Sequence, residues 1–137
     1  MGETIAEIRI TGPKDTAIVR AVVDTGATNT VVAEPLAKRL GIESIEADEV
    51  VLANGSVDKV GIASAEVEIQ GIRRTVPVYI YKDTLIGLTT LEAAGLRVNP
   101  VTQELEKVRG RLLHFRHLKA KQVNRIGKRP PVSSSSA

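Results

Sequence analysis

The sequence predicts an all-β domain with one or two short helices, followed by a basic tail. Two observations favour the all-β class: apolar residues alternate with polar ones over much of the chain, and turn signals interrupt them at short intervals. Helix signals are confined to two short segments. We therefore divide the 137 residues into a domain at 1–108 and a tail at 109–137.

A β-hairpin is predicted at the beginning of the domain. Isoleucines between positions 5 and 10 approximate the alternation of a strand, and Gly-Pro-Lys-Asp at 12–15 is typical of a turn. The returning apolar strand covers 17–23 and ends at an aspartate, Asp24. The hairpin therefore delivers a carboxylate to the next turn.

A short helix and a second hairpin follow. An early proline, late basic residues and a following glycine predict a helix at 35–40. Apolar runs at 50–52 and 57–62 flank the tetrapeptide Ala53-Asn54-Gly55-Ser56. Asn-Gly between two strands is a strong hairpin signal, so we expect a tight turn there.

The rest of the domain continues the all-β pattern. Alternating apolar residues predict further strands, and Leu85-Ile86-Gly87 precedes a second short helix that Gly95 closes. In chain order we expect strands at 63–69 and 76–80, a helix at 90–94, and strands at 96–98 and 105–108.

An internal repeat is visible in this order of elements. Each copy has an apolar strand, a small-residue turn and a short helix, with the turns at Asp24-Thr25-Gly26 and at Leu85-Ile86-Gly87. Only the first copy carries an acid.

Three motifs in this order resemble the retropepsin-like, retroviral-type aspartic proteases. They are Asp24-Thr25-Gly26-Ala27-Thr28 after an apolar strand, the Asn54-Gly55 hairpin, and Leu85-Ile86-Gly87 before a short helix, within residues 4–108. The resemblance implies a closed acid-protease β-barrel with a flap hairpin. It also implies a catalytic Asp24 supported by Thr25, Gly26 and Ala27, a flap at Ala53, Asn54 and Gly55, and a substrate-site wall at Leu85, Ile86 and Gly87.

The single Asp24 has a consequence for assembly. Peptide hydrolysis by this chemistry needs one group that accepts a proton from water and one that donates a proton, and two carboxyl groups sharing a proton do both. One acid per chain meets this need if a two-fold axis pairs two copies. We expect a homodimeric endopeptidase, able to assemble further, that acts on peptides or unfolded proteins. The alternative is a dimerisation or peptide-binding module with weak or no turnover.

Interpretations without a catalytic or binding role stay open for the same residues. Asp24 would then cap a turn without chemistry, and Leu85-Ile86-Gly87 would only pack in the core. We expect no cofactor and no metal, because His114 and His117 lie in a basic segment without acidic or cysteine neighbours. The chain has no cysteine, which excludes thiol nucleophiles and zinc-thiolate sites.

Charge divides the chain in two. Residues 1–108 hold 11 Lys/Arg and all 16 Asp/Glu, a net charge of −5, whereas 109–137 hold 8 Lys/Arg and no acid, a net charge of +8. We expect a partly disordered tail that either docks as a short amphipathic helix on an acidic domain or makes non-specific contact with nucleic acid. No apolar run reaches the roughly 20 residues of a membrane span, so we expect a cytoplasmic protein.

Overall fold

Nine strands and two short helices form the part of the chain that the computed structural model describes, residues 3–108. The predicted basic tail, with His114 and His117, lies outside the described residues. In chain order the elements are β1 (Ile5–Thr11), β2 (Thr16–Val23), β3 (Thr30–Ala33), α1 (Glu34–Leu40), β4 (Glu46–Val51), β5 (Val57–Ile69), β6 (Ile72–Tyr81), β7 (Leu85–Ile86), α2 (Leu88–Ala93), β8 (Leu96–Val98) and β9 (Leu105–Lys107).

Six of these strands close into a barrel. The hydrogen-bonded order runs β1-β2-β7-β3-β6-β5, and β5 pairs again with β1 through Ile8↔Ile69 and Ile10↔Val67. Strand β4 extends β5 outside this ring, while β8 and β9 form a separate two-stranded sheet. The closed, mostly β architecture confirms the predicted fold class, and closure leaves few strand edges exposed.

Alternation along the strands fills the barrel. In β1, Ile8 and Ile10 face inward, and the core side chains of β5 follow the same period of two from Ala63 to Ile69. They pack with residues of both helices, including Leu40 and Leu91. At about 25 cal/mol per Å² of buried apolar surface, this cluster is the main source of stability.

Local signals explain the two helices. Helix α1 has Pro35 in its first turn, Lys38 and Arg39 in its last turn, and Gly41 with φ of 77° at its C-cap. The prediction placed its start one residue late. Helix α2 covers Leu88–Ala93, so the predicted helix at 90–94 begins two residues too late and ends one residue too late. Within the described residues, neither helix is long and apolar enough to cross a membrane.

The second hairpin is longer than the sequence predicts. Strand β4 includes the acidic stretch Glu46–Glu49 as well as the apolar residues beyond it, and β5 is one strand of 13 residues, where the sequence indicates two. Strand β6 pairs with β5 only from Gly61 onward, whereas β4 pairs with β5 as far as Val51↔Val57. Residues 48–60 therefore extend beyond β6 and are called the hairpin arm below.

Candidate active site

Asp24 lies in a tight turn immediately after β2. Its backbone amide donates to the Ile86 carbonyl at 2.9 Å, and its own carbonyl accepts from the Ala27 amide at 3.1 Å. The Gly26 amide donates to Asp24 Oδ1 at 2.9 Å, which orients the carboxylate. Thr25 and Gly26 are exposed with Asp24, and a Cβ on Gly26 would approach Oδ1 to 3.2 Å. The turn presents a fixed, solvent-facing carboxylate, with no hydrogen bond to Oδ2 among the described residues.

The second copy of the repeat holds this turn in place. Strand β7 runs parallel to β2 with Val22↔Leu85 and Val23↔Ile86. The Leu88 amide donates to the Ala27 carbonyl, and the Thr89 amide donates to the Thr28 carbonyl, both at 2.8 Å. Because Asp24 donates to Ile86 in return, each copy supplies hydrogen bonds to the other.

Gly87 lies beside the Asp24 turn, at the end of β7. Val23 pairs with Ile86, the residue before Gly87, and the Asp24 amide donates to the Ile86 carbonyl. A Cβ at residue 87 would lie 2.3 Å from the backbone carbon of Asn29 and 2.4 Å from its oxygen. Only glycine fits this close backbone approach, so residue 87 cannot carry a carboxylate.

A buried pair of threonines supports Gly87. Thr30 and Thr90 are 0% and 1% exposed, and their hydroxyls share a hydrogen bond of 2.6 Å. Thr30 Oγ1 also accepts from the Gly87 amide at 3.0 Å. Sequence reasoning did not single out either hydroxyl, since a threonine in a strand or helix has no pattern that distinguishes a buried partner from an exposed one.

The predicted wall residues differ in their exposure. Leu85 is half-buried, whereas Ile86 is 0% exposed and packs in the core, contributing only its carbonyl to the Asp24 turn. The adjacent Leu88 is 38% exposed. The apolar surface beside the Asp24 turn therefore comes from Leu85 and Leu88.

The predicted flap residues form the tip of the hairpin arm. The Gly55 amide donates to the Leu52 carbonyl at 2.8 Å, and Gly55 has φ of 85°, which favours glycine. Asn54 Oδ1 accepts from the Ser56 amide at 2.9 Å and from its hydroxyl at 2.6 Å. Ala53, Asn54 and Gly55 are exposed, and no hydrogen bond among the described residues joins them to the Asp24 turn.

A hydrogen bond between side chains lies at the base of the arm. The Tyr81 hydroxyl donates to Asp58 Oδ2 at 2.6 Å. This bond lowers the pKa of Asp58, with a smaller contribution from the Lys59 amide, and it raises the pKa of Tyr81.

Asp24 does not line either of two concavities on the surface of the protomer. One, of about 500 Å³, lies along β1, and the other, of about 540 Å³, lies beside α1. Across residues 3–108, no three His, Asp or Glu side chains cluster in a way that could hold a metal ion. Asp24 is exposed in the single protomer and lies outside both of these concavities.

Comparison with known proteins identifies the family. A family model described as "gag-polyprotein putative aspartyl protease" matches residues 7–93, which include the Asp24 turn, the hairpin arm and Gly87. No curated protein matches the chain.

Proposed function

The chain belongs to the gag-polyprotein aspartyl protease family, which is retropepsin-like, and we propose that it hydrolyses peptide bonds as a homodimer with one Asp24 from each protomer. The observation that carries this proposal is the exposed Asp24 carboxylate beside Gly87. A second acid is needed for acid/base hydrolysis, and residue 87, which adjoins the Asp24 turn, has room only for glycine and does not supply it. A two-fold axis next to the Asp24 turn supplies it instead.

Two carboxyl groups on such an axis divide the chemistry between them. When they lie about 3 Å apart they share one proton, so that one accepts a proton from the attacking water while the other donates to the substrate carbonyl. In each protomer the Gly26 amide at Asp24 Oδ1 fixes the orientation of the carboxylate and leaves Oδ2 for the water. Thr25 and Ala27 complete the turn that holds the carboxylate at the surface.

The substrate in this proposal is an extended peptide between the hairpin arms and the walls. The tips at Ala53, Asn54 and Gly55 cover it, and their backbone groups pair with it as an added strand. The half-buried Leu85 and the exposed Leu88 provide apolar surface on the opposite side. Ile86 and Gly87 act through the backbone, because their positions are buried within the protomer.

An Asp24→Asn variant tests the catalytic role. Asparagine keeps an oxygen that accepts from the Gly26 amide, so the turn is retained while the acid/base group is lost. We expect kcat/KM for cleavage of an unfolded protein such as denatured casein to fall by at least about 10²-fold. Asp83→Asn is the matched control, since Asp83 is an exposed aspartate in the loop after β6, and it should cleave like wild type. Equal cleavage by Asp24→Asn and wild type would refute the proposal.

Subunit mixing tests the shared site. Wild-type chains are re-equilibrated with an equal amount of Asp24→Asn chains, and cleavage is compared with that of the same amount of wild type alone. If both carboxylates are required, random pairing leaves about half of the activity, because half of the wild-type chains then have an inactive partner. Unchanged activity would show that each protomer acts alone, and it would exclude the paired mechanism.

A further inference from the structure

We propose that the Tyr81–Asp58 hydrogen bond anchors the base of the hairpin arm and thereby positions the arm for peptide binding. The positioning of the arm for peptide binding rests on the proposed peptidase function. The anchor formed by Tyr81 and Asp58 rests only on the geometry of the arm.

The arm lacks the backbone pairing that holds the rest of β5. From Gly61 to Ile69, β5 has β6 as a neighbour, but from Val57 to Val60 the ladder continues only with β4. A two-stranded ribbon without a packed face is marginally stable on its own. The arm therefore depends on contacts near its base for a defined position.

Asp58 lies at the base of the arm, where it accepts two hydrogen bonds. Residues two apart in a strand share a face, so Asp58 shares the face of Val60, which is 4% exposed. This face is opposite to the one that carries Ala63, Val67 and Ile69 in the barrel core, and Asp58 on it is half-buried. The Lys59 amide donates to Asp58 Oδ1 at 2.9 Å, and the Tyr81 hydroxyl donates to Oδ2 at 2.6 Å, so both oxygens have a donor.

Tyr81 connects this carboxylate to the part of the barrel that carries the active-site loop. It is the last residue of β6, and its backbone position pairs with Ala33, the last residue of β3. Strand β3 begins at Thr30, directly after the loop that follows Asp24, and Thr30 bonds the Gly87 amide. Lys82 Nζ lies 5.4 Å from the centre of the Tyr81 ring. The hydrogen bond therefore joins the arm to the strands that hold the Asp24 turn.

A tyrosine pair in β6 provides a matched test in the full-length chain. Tyr81→Phe removes the hydroxyl that bonds Asp58, whereas Tyr79→Phe makes the same change two residues earlier. Tyr79 is half-buried like Tyr81, but its hydroxyl has no hydrogen bond among the described residues. Amide hydrogen exchange of residues 48–60 reports the anchor. We expect exchange to become about three- to tenfold faster in Tyr81→Phe and to stay unchanged in Tyr79→Phe.

Kinetics report the positioning role. We expect Tyr81→Phe to raise KM for a cleaved peptide about three- to fivefold with kcat within about twofold, because weaker positioning of the arm removes binding that is common to substrate and transition state. Asp58→Ala should raise KM as much as Tyr81→Phe does, and the double variant should raise it no further. Asp58→Asn keeps an acceptor oxygen, so its rise in KM should be smaller.

The two halves of the inference fail separately. Unchanged exchange at 48–60 in Tyr81→Phe would overturn the anchor, whatever the activity of the protein. Faster exchange with an unchanged KM would overturn the positioning role. If wild type cleaves no peptide, the proposed function fails, while the exchange comparison still decides whether the anchor exists.

Discussion

Replacing Thr30 by valine tests the internal support of the active-site loop. Valine keeps the shape of threonine but removes Oγ1, which bonds both the Thr90 hydroxyl at 2.6 Å and the Gly87 amide at 3.0 Å. All three groups are buried. Thr30→Val therefore leaves one hydroxyl and one amide in the interior without a partner.

The structure sets the order of stability among three variants. A buried polar group that loses its partner costs about 1–3 kcal/mol, so Thr30→Val should lose about 2–6 kcal/mol. Thr90→Val leaves the Gly87 amide bonded and should lose about 1–3 kcal/mol. In the double variant only the Gly87 amide is unpaired, so it should be more stable than Thr30→Val by about 1–3 kcal/mol.

Urea unfolding followed by far-ultraviolet circular dichroism measures these differences in the free energy of unfolding. All variants are compared at one protomer concentration, because assembly shifts the apparent stability. Thr89→Val is the control, since Thr89 is half-buried and no hydrogen bond of its hydroxyl occurs among the described residues; it should change stability by about 0.5 kcal/mol or less. The reasoning fails if the double variant loses the sum of the two single losses, or if Thr30→Val behaves like the control.

Two further predictions concern other parts of the domain. Gly87→Ala should lower the free energy of unfolding by about 1–3 kcal/mol or more, because its Cβ meets the Asn29 backbone at 2.3 Å; a melting temperature within error of wild type would contradict this. Glu106 accepts from Asn99 at 2.9 Å and from Arg97 at 2.6 Å, and these bonds hold its pKa below the usual range. Its contribution is therefore present above about pH 4.5 and lost as pH falls through the lowered pKa, so wild type should lose more thermal stability than Glu106→Gln between about pH 6 and pH 3. Parallel pH curves for the two proteins would exclude this role.

Sequence patterns predicted the elements that depend on near neighbours. The first hairpin appears as β1 and β2, and the Asn54-Gly55 turn appears between β4 and β5. Both rest on alternation and on turn chemistry that act within a few residues. The acidic part of β4, Glu46–Glu49, was not predicted, because its strand conformation comes from pairing with β5 and its side chains are exposed.

The candidate site also combines features that local sequence predicts with features that depend on distant residues. The repeated order of strand, turn and helix indicated that Asp24 and Leu85-Ile86-Gly87 are related, and the structure places Asp24 and Gly87 just after the adjacent parallel strands β2 and β7. The pairing of Thr30 with Thr90, 60 residues apart, could not be predicted. Its energy comes from burial of two hydroxyls together, which depends on how the barrel closes and not on either residue's neighbours in sequence.

The reciprocal bonds between the two copies explain why a copy without an acid matters for the proposed chemistry. Asp24 donates to Ile86, while Leu88 donates back to Ala27, so a displacement of the Gly87 turn moves both ends of the Asp24 turn. Two carboxylates that must meet across an axis tolerate little displacement, because misplacement by about 1 Å can cost 10²-fold in rate. Substitutions at Gly87 or Thr30 should therefore reduce cleavage more steeply than their loss of stability alone would predict, although neither residue supplies a side chain to the substrate in the proposed mechanism.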